Sequence, residues 1–121
     1  MNIVEAQNCV KEFNDKRNWS IDNYKDLLLN MNEEIGEIWN IIKWVDIEKQ
    51  KQLIKENKGE AENFIGDMFY LVFKLAYLWN VDPEKSFKEV MEEYEKRFPV
   101  KETLKRKHAN KLAGGIDLKY D

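Results

Sequence analysis

At 121 residues the chain has room for one domain with a real core and not for two independent ones. Its 43% hydrophobic and 36% charged residues, with only two prolines and five glycines, suit packed amphipathic helices and leave little for a turn-rich sheet. The net charge of -3 hides an acidic body, because six Lys/Arg stand against three Asp/Glu from Lys101 to Asp121 and the first hundred residues sum to -6; such a body lacks the basic face that broad nucleic-acid binding needs.

Periodicity predicts four helices and an all-α bundle. The first follows Asn2, a residue suited to cap it, with Ile3, Ala6, Val10 and Phe13 at helical spacing until the polar run 14–18 ends it. The spacing places Cys9 beside this stripe as a packing residue, and a single cysteine allows no internal disulfide. The second helix, capped by Ser20 or Asp22, sets Tyr24, Leu28, Met31, Ile35, Ile38, Ile42 and Val45 in alternating steps of four and three, the seam of an antiparallel helix pair.

Residues 46–59 are rich in Lys, Glu and Gln and read as a connection closed by Gly59, with at most one helical turn around Leu53 and Ile54. The third helix, 60–79, is apolar on nearly every side from Phe64 onward, as expected of a central or interfacial helix. Asp82-Pro83 opens the fourth, whose inner face is Phe87, Val90, Met91 and Tyr94, and Phe98-Pro99 stops it. The helical domain is thus 1–99, and 100–121 is an irregular basic arm containing Gly114-Gly115 and the sole histidine, His108, expected to be exposed. The stretch 64–79 is interrupted by Asp67 and Lys74 and is too short for the roughly 20 residues that cross a bilayer. With no signal-peptide pattern at the N-terminus, the expectation is a cytoplasmic protein without membrane contact.

Two features carry chemistry. Glu33, Glu34 and Glu37 lie on adjacent turns of one side of the second helix, and no Lys or Arg stands between Asp26 and Lys43 to relieve their repulsion. A hard divalent cation relieves it, since Mg²⁺ takes oxygen ligands and shares carboxylates with substrate phosphates; a solvated acidic face is the bland alternative. Asp67 interrupts an apolar helix, where a carboxylate wants an ion pair, a proton or a metal. Glu60, Asn63, Asp67 and Lys74 share one stripe of that helix.

Glu34-x-x-Glu37, followed some thirty residues later by Ile65-Gly66-Asp67-Met68-Phe69, resembles the MazG-like all-α nucleotide pyrophosphohydrolases, whose signature is EExxE on one helix and ExxD on a later one. The resemblance covers about residues 4 to 99 and is closest to the branch containing dCTP pyrophosphatase, which shares segments like Arg17-Asn18-Trp19, Trp44 and Arg97-Phe98-Pro99. It implies cleavage of a nucleoside triphosphate, a dNTP or non-standard nucleotide, between the α and β phosphates in a housekeeping role of nucleotide-pool sanitation. It also implies a homodimer or homotetramer of four-helix bundles. By position Glu34, Glu37 and Asp67 match the ligands of Mg²⁺, with Mn²⁺ as a substitute, and Glu33 is the neighbouring acid, so that Glu33, Glu34 and Glu37 form the catalytic set.

The chain departs from the pattern in three places. Phe64 stands where the Glu of ExxD belongs, and Val90 and Tyr94 stand where the family often has a Lys and an Asn. Asn63, or Glu60 one turn further back, is the substitute ligand that the Asp67 stripe offers. For substrate contact the sequence offers Trp19 and Trp44 near helix ends, Lys74 as a cation on the Asp67 stripe, Arg97 of the Arg-Phe-Pro segment, and Lys111 in the arm, read as a lid over the phosphates. The competing expectations are a degenerate nucleotide-binding or metal-binding module and a helical adaptor in which Asp67 is merely salt-bridged.

Overall fold

The computed structural model describes residues 1–105, and these are helical with no strand among them. The helices are α1 (Ile3–Asp15), α2 (Tyr24–Ile42), α3 (Ile47–Glu56), α4 (Lys58–Leu78), α5 (Pro83–Arg97) and α6 (Val100–Thr103). Their contacts group the chain into Met1–Glu84 and Lys85–Asp121.

In Met1–Glu84, α4 packs against both α1 and α2, while α3 lies against α2 and α4. The start of α1 is fixed by a reciprocal cap: Glu5 N–H donates to the Asn2 side-chain oxygen at 2.8 Å and Asn2 N–H donates to the Glu5 carboxylate at 3.3 Å. Its end is anchored by Asn14, which has no exposed surface; its amide donates to Val10 O at 2.9 Å and its oxygen accepts from Tyr70 Oη of α4 at 2.6 Å. The first loop returns through Ser20, whose hydroxyl donates to Asp15 at 2.5 Å and lies 2.8 Å from Tyr77 Oη of α4. Cys9 is exposed rather than packed, because α4 covers the flank of α1 that carries Asn14.

The cap of α2 is Asn23, whose side chain accepts from Asp26 N–H, and not Ser20 or Asp22; Ser20 is engaged by Asp15 and Tyr77 instead. The expected seam of α2 is only partly covered: Leu28 and Ile35 are exposed, and Met31, Ile38 and Ile42 are half-buried.

Residues 46–59 are not a loose connection. Asp46 caps a ten-residue helix, α3, by accepting from Lys49 N–H at 2.9 Å, Glu48 sits in the first turn and Lys55 in the last, where each complements the helix dipole. Strong helix formers make most of this element, and its apolar face rests on only Ile47, Leu53 and Ile54, too few to reveal it by period. The break falls at Asn57, and Gly59 lies inside α4 rather than ending anything.

All the buried apolar residues among those described, Leu71, Phe73, Leu75 and Ala76, belong to the C-terminal half of α4. No single helix among the described residues is long and apolar enough to cross a membrane.

In Lys85–Asp121, α5 follows the expected start, with Glu84 N–H donating to Asp82 at 3.0 Å ahead of it. Phe87, Val90 and Met91, expected to face inward, are exposed, and only Tyr94 of that face is half-buried. After Pro99 the described part of the arm makes one helical turn, α6. His108, Lys111 and the glycine pair lie outside the described residues.

Candidate functional site

The seam between α2 and α4 brings the carboxylates of the two motifs together. Glu34 is half-buried, and its neighbours are acids: the Asp67 carboxyl of α4 within hydrogen-bonding reach, then Glu37 and Glu33 of its own helix. Burial first, and then the negative charges of Asp67, Glu37 and Glu33, hold the Glu34 carboxyl above its usual range. No Lys or Arg among the described residues forms an ion pair with Glu34, Glu37 or Asp67. The salt-bridged Asp67 of the adaptor reading is therefore not what these residues form.

Asn63 fixes Asp67, its amide donating to Asp67 Oδ2 at 2.8 Å one turn along α4. Beside this pair a cleft of about 20 Å³ opens between the helices, lined by Glu34, Glu37, Glu60 and Asn63 with Ile38, Ile41 and Phe64 as its apolar wall. That is room for a single water or ion. Asp67 is half-buried, not enclosed, so that it escapes the full penalty expected of a carboxylate inside an apolar helix. Phe64 thus lies in the wall of the cleft, and Glu60, one turn before it, supplies a third carboxylate there.

The donor set fits a hard divalent cation in chemistry and in charge. It is all oxygen and strongly negative, and burial together with the neighbouring carboxylates pushes its central carboxyl toward its protonated form. Among the described residues no group of three His, Cys, Asp or Glu side chains is arranged to hold a metal ion.

The residues expected to contact substrate are spread out. Trp44, just past α2, is 86% exposed and adopts the left-handed backbone region at φ 65°, an unfavourable conformation for a bulky residue; Trp39 meets it edge-on at 6.0 Å. Trp19 is exposed beside Phe13, after Asn18 at φ 54°. Lys74 is one of the two buried polar residues among those described, 9% exposed, with its ammonium 6.0 Å from the Tyr70 ring centre and no anion of the described residues paired to it. Arg97, in α5, pairs with Glu93 at 2.5 Å and lies over Tyr94 and Phe98. Lys111 is outside the described residues.

Compared with models of known protein families, with curated proteins and with solved structures, the chain matches none.

Proposed function

We propose that the chain is a Mg²⁺-dependent pyrophosphohydrolase of MazG-like type, converting a nucleoside triphosphate, a dNTP or a non-standard nucleotide, to monophosphate and pyrophosphate. One observation carries the reading: Glu34 of α2 is crowded by Asp67 of α4 and by Glu37, with no basic side chain paired to them among the described residues, in a seam whose cleft has room for one ion. Such an arrangement costs stability in the free protein and is repaid only when a cation enters.

Glu34, Glu37 and Asp67 would hold the ion, Mn²⁺ serving the same oxygen set, with Asn63 orienting Asp67 and Glu60 standing in for the carboxylate that Phe64 lacks. When bound, the metal neutralises the polyphosphate and lowers the pKa of a water. The chain's residues do the rest: Glu33, exposed beside the site, accepts the proton of the attacking water, and the exposed rings of Trp44 and Trp19 offer faces for a base. Self-association is supported by a stripe of α4, Ile65, Phe69, Val72 and Trp79, that is exposed on the side opposite Asn63 and Asp67.

Phe64 in the cleft wall favours a second reading, in which nucleotide and metal bind without turnover. Pyrophosphate release across a panel of NTPs and dNTPs in Mg²⁺ separates the two. Activity is expected, and Glu34→Gln should lower it at least about a hundredfold with helicity unchanged; binding of a non-hydrolysable analogue without release by the native chain would establish the module, and equal activity in the variant would remove Glu34 from the site. Phe64→Glu should raise Mg²⁺ affinity, read by calorimetric titration. If it unfolds the chain, Asn63→Ala is the substitute test and should weaken metal binding.

A further inference from the structure

At the C-terminal end of α2, against α3, lies a groove that shares no lining residue with the acidic cleft. Its volume is about 620 Å³, within the range of small-molecule sites, and its floor is aliphatic: Ile42 at the end of α2, with Ile47 and Ile54 of α3. The rim is cationic, with Lys51 and Lys55 on α3 and Lys58 at the start of α4. The remaining lining residue, Gln50, is tied down through its amide to Val45 O at 3.0 Å, and no acidic residue lines the groove. Lys51 shares Glu48 at 3.3 Å, whereas Lys55 and Lys58 form no ion pair with any described residue. Three lysines gathered on an apolar floor make a positive island in a body whose first hundred residues sum to -6.

We propose that this groove binds a monomeric anionic amphiphile, an aliphatic chain of about ten carbons ending in a carboxylate or phosphate, with the chain on the isoleucines and the head group among Lys51, Lys55 and Lys58. Charge complementarity selects the anion. The floor selects the tail: with no aromatic side chain in the lining, a stacked base has no partner, while extended methylenes gain from each isoleucine they cover. A volume of about 620 Å³ matches a single molecule of this size, and association with a membrane surface is the competing outcome of the test. The groove shares no lining residue with the Glu34 cleft, so this inference stands or falls apart from the proposed hydrolysis.

The test titrates decyl phosphate and decanoate, below their aggregation concentrations, into the ¹⁵N- and Ile-methyl-labelled full chain. Saturable one-to-one binding is expected, with shifts at Ile42, Ile47 and Ile54, and the double variant Lys55→Glu/Lys58→Glu should weaken it at least about tenfold. Lys25→Glu, at an exposed lysine outside the groove, should bind as the native chain does. Retained circular dichroism in the double variant, and a milder Lys55→Ala, guard against misfolding as the cause. The inference is overturned if neither amphiphile binds in the millimolar range, if decanol binds as well as decyl phosphate, if the double variant binds undiminished, or if the chain associates only with vesicles containing phosphatidylglycerol.

Discussion

Along α4, the stretch from Lys58 to Met68 contains no buried residue, whereas the stretch from Leu71 to Ala76 contains every buried apolar side chain among the described residues. The two halves also carry opposite unsatisfied charges. Among the described residues Asp67, with Glu34 and Glu37 across the seam, has no cation paired to it, and Lys74, two turns on, has no anion paired to it. The helix thus divides into a C-terminal half buried in the fold and an N-terminal half whose side chains stay exposed or half-buried.

That division predicts unequal responses to the same kind of truncation. Leu71→Ala, at a residue 2% exposed, should destabilise the chain by about 3 kcal/mol, whereas Ile65→Ala in the exposed half should change the stability of the dilute protein by about 0.5 kcal/mol or less, both read from urea unfolding. A smaller loss, about 1–3 kcal/mol, is expected for Asn14→Ala, which leaves the Tyr70 hydroxyl without its acceptor and removes the amide that caps Val10 O.

Lys74 should give the smallest effect and the opposite sign. Its stem is buried, and because no buried side-chain nitrogen or oxygen lacks a partner among the described residues, its ammonium keeps some contact with solvent. Burial still holds its pKa below the ordinary lysine value of about 10.4. Below its folded pKa the ammonium is charged in both states and its burial penalty is carried in full; above about 10.4 it is neutral in both and the penalty is gone. Stability contributed by this group therefore rises with pH through the alkaline window between those values. Lys74→Met should stabilise the chain at neutral pH and flatten that rise, as followed by thermal unfolding between neutral and alkaline pH.

Much of this was legible in the residues. Asn2, Asp82-Pro83 and Phe98-Pro99 marked helix ends because capping and proline geometry are local. Helical spacing put Glu33, Glu34 and Glu37 on one side of α2 and Glu60, Asn63 and Asp67 on one stripe of α4, while the expectation that the two sets meet came from the family resemblance and not from spacing. What the pattern missed depended on other terms. Propensity and an Asp46 cap built α3 around an apolar face of only three residues, and Ser20 was drawn from capping into a tertiary contact with Tyr77. Coverage was overestimated as well: helical spacing says which residues share a face, and not whether anything lies on it, so Leu28, Ile35, Phe87 and Val90 are exposed despite regular stripes.

The central claim, that the α2–α4 seam is destabilised by its own carboxylates until a cation enters, is tested most directly by thermal unfolding of the native chain and of Glu34→Gln, each with and without Mg²⁺. Because the folded state raises the Glu34 pKa, the charged carboxylate costs stability above the unfolded value of about 4.3, and that cost is relieved as pH falls toward it. The metal-free variant should therefore melt higher than the metal-free native chain at pH 7, by about 1 to 3 °C for an energy of a few tenths of a kcal/mol, and the difference should shrink toward pH 4. Mg²⁺ should raise the melting temperature of the native chain and leave the variant unmoved. A variant that melts lower than the native chain without metal, or that gains as much from Mg²⁺, would contradict the account.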